Sequence, residues 1–163
     1  MIAAVPLFLN LDALPIQMWD ESRRAMNALE MLENGNYLVT HFEGKPEMWG
    51  TKPPFLIWVQ TLFFRIFGPG ELALRLPSAL AGLATVFMIF RFAGKHLQHT
   101  RLGFIAGIIL ISSAGYISLH VTRTGDFDAL LTFFCTGYLL SFFLAVEQAE
   151  TFGRRHYLWL AGL

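Results

Sequence analysis

Residues 102–121 read LGFIAGIILISSAGYISLHV, twenty consecutive positions without an Asp, Glu, Lys or Arg. A helix of that length extends about 30 Å, the thickness of a bilayer's hydrocarbon core. In lipid each backbone N–H and C=O needs a partner within the protein, and a helix supplies one for nearly all of them. The stretch therefore predicts a membrane helix. Its neighbours repeat the pattern. Residues 76–94 (LPSALAGLATVFMIFRFAG) carry Arg91 as their only charge, near one end where its stem can snorkel. Residues 127–146 (FDALLTFFCTGYLLSFFLAV) carry Asp128 alone, at the start. Small residues along the first two segments (Ala79, Ala81, Gly82, Ala84, Gly103 and Gly107) let such helices approach closely.

The composition agrees. Of the 163 residues, 55% are hydrophobic and 15% aromatic, with mean hydropathy +0.50. That leaves too little polar surface to cover a soluble domain. Basic and acidic residues balance at 12 each, so the net charge gives no support to a nucleic-acid surface. The single cysteine, Cys135, excludes a disulfide framework and a cysteine-based metal site. The chain reads as an all-α integral membrane protein in four stretches. Residues 1–11 (MIAAVPLFLNL) form the end of a truncated first membrane helix, and 12–75 a polar loop. Residues 76–156 hold three membrane helices, and 157–163 (YLWLAGL) open a further span.

Within the loop, residues 20–34 (DESRRAMNALEMLEN) place Ala25, Met26, Leu29, Met31 and Leu32 at helical spacing, with Gly35 where a C-terminal cap belongs. This predicts an amphipathic helix lying along the membrane surface. Gly44, Pro46, Gly50, Pro53 and Pro54 then rule out continuous helix. Residues 55–67 (FLIWVQTLFFRIF) are apolar but number only 13, a length typical of interfacial segments. Arg91, Lys95, His96, His99 and Arg101 surround one inter-helix turn, and Arg154 and Arg155 another, which assigns both turns to the cytoplasm. The loop and residues 122–128 then share the outer face, provided that 55–67 does not cross.

Three clusters on that face can carry chemistry. Asp20 and Glu21 follow Trp19 at the membrane edge, where low dielectric suits a carboxylate acting as general base; Asp20 is equally suited to cap the helix after it. Arg23 and Arg24 lie within one turn, and a guanidinium matches a phosphate. Pairing with glutamates along a solvated helix face is the other account, more so for Arg24. Lys52 stands before Pro53 and Pro54 on stiff backbone, as a placed positive charge or as an exposed turn residue. Arg123, Asp126 and Asp128 form a polar knot between two apolar spans, where ionisable groups are costly and usually functional.

The order of these features is similar to that of a known family. An acidic pair (Asp20-Glu21) is followed by Lys52-Pro53-Pro54, then GPGELALRLPSALAG at 68–82, then TRTGDFDALLTFF at 122–134. Each motif alone is common, but in this order the chain resembles the membrane glycosyltransferases that include the lipid A aminoarabinose transferase and the protein O-mannosyltransferases. The likeness runs over residues 6–143. It implies a multi-spanning helical bundle of the GT-C type in the inner membrane, with its active site facing the periplasm. It also implies a polyprenyl-phosphate sugar as donor and a lipid A-like glycolipid or a protein hydroxyl as acceptor.

By position, Asp20 becomes the general base and Asp126 the second acidic residue, orienting Arg23 or the sugar. Lys52 and Arg23 neutralise the departing phosphate. Glu21 and Arg123 join the substrate-binding set without separate roles. Thr51 stands where metal-bearing members have an acid, so the resemblance implies no metal ligand set and makes a divalent metal doubtful. The alternative class is a transporter or flippase component for a lipid-linked sugar, whose ionisable residues belong near the bilayer midplane. A third is a structural anchor whose outer loop docks a partner.

Overall fold

The computed structural model describes residues 5–50, 52–118 and 120–147, together with Gly162. The further span expected at 157–163 and the basic pair Arg154-Arg155 lie outside the described residues, Gly162 apart. A four-residue helix α1 (Val5–Phe8) opens the described chain, and α2 (Asp20–Asn34) follows after an irregular stretch. A hairpin of β1 (His41–Phe42) and β2 (Lys45–Pro46) leads to α3 (Phe55–Phe67), α4 (Glu71–Lys95) and α5 (Thr100–Ser112). One turn of helix, α6 (Ala114–Ile117), and the long α7 (Asp128–Glu147) complete it.

The amphipathic reading of 20–34 holds to its ends: Gly35 closes α2 in the left-handed region (φ 67°) and donates to Met31 O. The stripe packs on protein. Ala28 and Met31 are buried with Ile57 and Phe64 of α3 and Ala73 and Leu74 of α4, flanked by Ala25, Leu29 and Leu32. Met26 faces outward instead. Thr61 Oγ1 reinforces the contact by donating to Ala28 O. The hairpin turns at Glu43 (φ 53°) and Gly44 (φ 75°), the two positive φ values that a tight antiparallel connection requires. Asn27 Nδ2 donates to His41 O and Gly44 N–H donates to Glu30, which seats the hairpin on α2.

Helices α4 and α7 are long and apolar enough to cross a membrane; α3 and α5 are not. The first expected span starts five residues earlier than its sequence suggested, because Arg75 lies within α4 and not before it. Its charge is neutralised inside the fold, so it does not mark a helix end. The expected span at 102–121 is interrupted: α5 stops at Ser112, Ser113 is extended, and only 114–117 resume the helix. Local side-chain competition accounts for the break, since Ser112 Oγ donates back to Ile109 O. Beyond it, Tyr116 Oη donates to Gly82 O and Thr122 Oγ1 to Tyr116 O, which pins the chain onto α4. The small residues act as expected. A Cβ at Gly103 would meet Phe90 O at 2.9 Å, and one at Gly82 would meet Thr122 Cγ2 at 2.5 Å. On its outer side α7 exposes Leu131, Phe134, Leu139, Phe143 and Val146, a surface of the kind that faces lipid or further helices.

One ion pair joins these parts. Arg75 is 3% exposed and uses all five N–H donors. Its Nε reaches Glu21 Oε1 at 2.7 Å and Nη2 reaches Glu21 Oε2 at 2.9 Å. The remaining three go to the carbonyls of Leu11, Leu14 and Pro15 at 2.6–3.0 Å. Glu21 also accepts from the N–H groups of Gln17 and Gly125. Burial by itself raises the Glu21 pKa, but the Arg75 hydrogen bond, the two backbone N–H groups and the Arg75 charge outweigh it and leave it below the ordinary 4.5. A carboxylate with a depressed pKa contributes stability that is complete above its ordinary value and lost as pH falls through the lowered one.

Two outcomes follow for the full-length parent in detergent. R75M, which strands a buried carboxylate, lowers unfolding free energy by about 3–5 kcal/mol, and E21L/R75M recovers part of that loss. Thermal melting of these two variants and of E21L checks this, and additive losses would remove the pairing. G82A, forced against Thr122, lowers stability by about 1–3 kcal/mol in the same assay.

Candidate functional site

The site forms where the turn at 120–127 meets the first turn of α2. The turn is held from every side. Gln60 Nε2 donates to Gly125 O, Ser78 Oγ to Asp126 O, and Gly125 N–H to Glu21. A Cβ at Gly125 would come within 2.7 Å of Leu74 Cγ, so the turn can pass only as glycine there. Asp126 is thereby fixed with its side chain 8% exposed, accepting at Oδ2 from His120 Nδ1 at 3.2 Å. Burial raises its pKa above the ordinary 3.8, and the nearby Asp20 adds to the rise. The His120 hydrogen bond and charge, then Arg24, oppose it without cancelling it.

Asp20 and Glu21 are adjacent but face different ways. Glu21 is buried on Arg75, while Asp20 is 61% exposed beside Arg24, whose Nη2 lies 3.6 Å from Oδ1. Trp19, just before, holds φ 80°, and His120 holds φ 70°; both are strained values for residues other than glycine, and they flank the two aspartates. A cavity of about 160 Å³ opens beside Asp20, with Arg23, Arg24, Glu47, Lys52 and Phe127 in its wall. The Phe127 ring carries two cations, Arg24 Cζ at 4.7 Å and Lys52 Nζ at 5.0 Å from its centroid.

The three sequence clusters thus converge: Asp20, Lys52 and Asp126, from segments 32 residues or more apart, meet at one place. Other expected members do not join them. Glu21 is committed to Arg75 inside the fold, so it has no free oxygen to offer a substrate. Arg123 donates to the carbonyls of Pro6, Leu9 and Asn10, at the C-terminal end of α1 where a cation is favoured. Arg23 lines the cavity, but its carboxylate partner is Glu47 at 3.3 Å and its ring partner Phe42; Asp126, expected to orient it, pairs with His120.

His120 escaped the sequence reading because it lies within the uncharged run at 102–121. Glu47 escaped because only the hairpin brings it to α2. Asp20, His120 and Asp126 each offer one ligand atom within 4.8 Å of the others. One imidazole and two carboxylates suit zinc or manganese.

Comparison with known proteins agrees with this architecture. A family model described as dolichyl-phosphate-mannose-protein mannosyltransferase matches residues 51–163. The undecaprenyl phosphate-alpha-4-amino-4-deoxy-L-arabinose arabinosyl transferase of Aeromonas salmonicida is 31% identical over 151 residues, covering 89% of this chain and 27% of its own length. A putative mannosyltransferase of Bacillus subtilis is 31% identical over 98 residues, 60% of this chain and 14% of its own. The crystal structure of ArnT from Cupriavidus metallidurans bound to undecaprenyl phosphate superposes with a TM-score of 0.87 at 23% identity, covering 98% of this chain and 29% of that one. The chain therefore spans less than a third of the proteins it matches, and takes their fold over that span. The family match takes in the turn at 120–127 and the long helices α4 and α7: the chain belongs to the dolichyl-phosphate-mannose-protein mannosyltransferase family.

Proposed function

We propose that the full-length protein is an inner-membrane glycosyltransferase that moves a sugar from a polyprenyl-phosphate donor to a hydroxyl on the periplasmic face. The observation that carries this is that Asp20 and Lys52 line one cavity, with Asp126 beside Asp20 just before the long apolar helix α7. A lipid-linked donor needs such an address: its polyprenyl chain stays in the bilayer while its phosphate and sugar reach the edge. The relatives' names add undecaprenyl phosphate as donor lipid and an amino sugar or mannose as cargo. A lipid A-like glycolipid or a protein Ser or Thr is the acceptor.

Asp20, exposed to the cavity, takes the acceptor hydroxyl's proton as that oxygen bonds to the anomeric carbon. The bond from this carbon to the phosphate oxygen breaks, and the electron pair leaves with the polyprenyl phosphate. This is an inverting single displacement. Lys52 stands where the negative charge collects, and a preplaced cation there lowers the barrier. Charge neutralisation by Lys52 and a guanidinium supplies what a divalent ion supplies in members with an acid before the lysine; this chain has Thr51. Asp126 holds the floor beneath Asp20 through His120. A transporter needs its ionisable groups midway along the spans; Glu71, Arg75, Asp126 and Asp128 sit at the starts of α4 and α7.

In the full-length protein, D20N lowers transfer of radiolabelled sugar from a polyprenyl-phosphate donor by about 10²–10⁴-fold at equal expression. Transfer equal to the parent's by D20N removes Asp20 as the base. Asp126 accepts from His120 as a carboxylate, and burial raises its pKa above the ordinary 3.8, so the acid limb of the pH–rate profile lies above that value. H120A, which takes away the hydrogen bond and charge opposing that rise, moves the limb to still higher pH. A limb that stays in place or moves down separates Asp126 from the rate.

A further inference from the structure

Resting on the glycosyltransferase reading above, we infer that Arg24, and not its neighbour Arg23, is the guanidinium that holds the phosphate at this site. The two arginines differ in what the fold has already given them. Neither side chain hydrogen-bonds a described residue, but Arg23 is a third exposed, its Nε lies 3.3 Å from the Glu47 carboxylate brought up by the hairpin, and the Phe42 ring covers its guanidinium at 5.3 Å. Arg24 has no hydrogen bond to a described residue although it is only 9% exposed. Its Nε is buried without an acceptor, and its sole carboxylate contact, Asp20, is long at 3.6 Å. A buried guanidinium elsewhere in this protein is treated very differently, since Arg75 satisfies every donor. Unmade bonds on a buried cation cost free energy, and the fold keeps them at the wall of a cavity.

The surroundings call for an anion. Arg24 and Lys52 both lie over the Phe127 ring, so two positive charges share one face of the cavity. Glu47 pairs with Arg23 by charge alone, its buried Oε1 without a hydrogen-bond donor, and Asp126 bonds His120, which leaves Asp20 as the exposed carboxylate beside the two cations among the described residues. A tetrahedral oxyanion between Arg24 and Lys52 would relieve their repulsion and accept the open N–H groups, a match of planar fork and phosphate. In the donor this phosphate is a diester with one negative charge. After the sugar leaves it is a monoester carrying nearly two. The pair therefore holds the product form more tightly than the donor, which is the condition for speeding departure.

The test is binding, without turnover. Full-length parent, R24M, R24K and R23M are titrated in detergent with undecaprenyl phosphate, with neutral undecaprenol and with inorganic phosphate as competitor. Thermal melting confirms the fold of each variant, and R24K keeps charge and bulk where R24M fails to fold. R24M weakens undecaprenyl phosphate binding by about 10- to 100-fold, R24K falls between it and the parent, and R23M stays within about threefold. Affinity for undecaprenol is unchanged, which a merely structural role for Arg24 would not give. Inorganic phosphate competes with the lipid in the parent and loses potency in R24M. Binding by R24M equal to the parent's, or an equal loss in R23M, overturns the assignment while leaving the transferase reading intact. A parent that distinguishes undecaprenyl phosphate from undecaprenol no better than R24M does overturns both.

Discussion

The structure depends on the buried pair of Arg75 and Glu21. An isolated guanidinium at this depth is prohibitive, and an isolated carboxylate scarcely less so. Each is tolerated because the other is present and because five carbonyl or N–H groups complete their coordination. Those groups lie in the loop at 11–17 and in the turn at 120–127, while Glu21 belongs to the start of α2 and Arg75 to the first turns of α4. A pair of this kind contributes modestly to net stability, since desolvation offsets most of its attraction. Its consequence is geometric. The bonds tie the start of α2 to the first turns of α4, to the loop at 11–17 and to the turn before α7.

The same element shows why two adjacent acids behave differently. Successive residues on a helix point about 100° apart. With Glu21 directed inward onto Arg75, Asp20 has no choice but to face the cavity, and Arg24, one turn on, lies beneath it. The apolar stripe of α2 on α3 fixes the helix's rotation, and the ion pair fixes its position along the axis. The hairpin adds Glu47 from a third direction. The exposed Asp20 and the cavity wall are thus positioned by groups buried inside the fold.

How much of this was legible in the sequence follows from how local each signal is. Helices α2, α3 and α7 were readable to within a residue or so, because periodicity, the Gly35 cap and flanking prolines are all local. The start of α4 was not, since Arg75 reads as a boundary until Glu21, 54 residues away, is known to neutralise it. The break at Ser113 was hidden in an unbroken apolar run, where hydropathy cannot see a serine turning back on its own helix. In the site, Asp20, Lys52 and Asp126 announced themselves as charges beside apolar spans. Glu21 and Arg123 gave the same signal and proved to be occupied within the fold, because sequence reports a charge and not its partner.

That distinction between satisfied and unsatisfied charge is the most useful guide the structure offers. In a soluble protein, water supplies whatever a surface arginine lacks. At the edge of a membrane, with apolar helices on two sides, it does so less readily, and a guanidinium must find acceptors in the protein or in what the protein binds. Arg75 and Arg123 find theirs in carbonyls and Glu21, and are thereby structural, while the more exposed Arg23 pairs by charge with Glu47. Lys52 and Arg24 stand over one aromatic ring with a single exposed carboxylate across from them. On the transferase reading proposed above, a mobile anion such as a lipid phosphate completes this arrangement, whereas a fixed side chain between the two cations would fill the cavity.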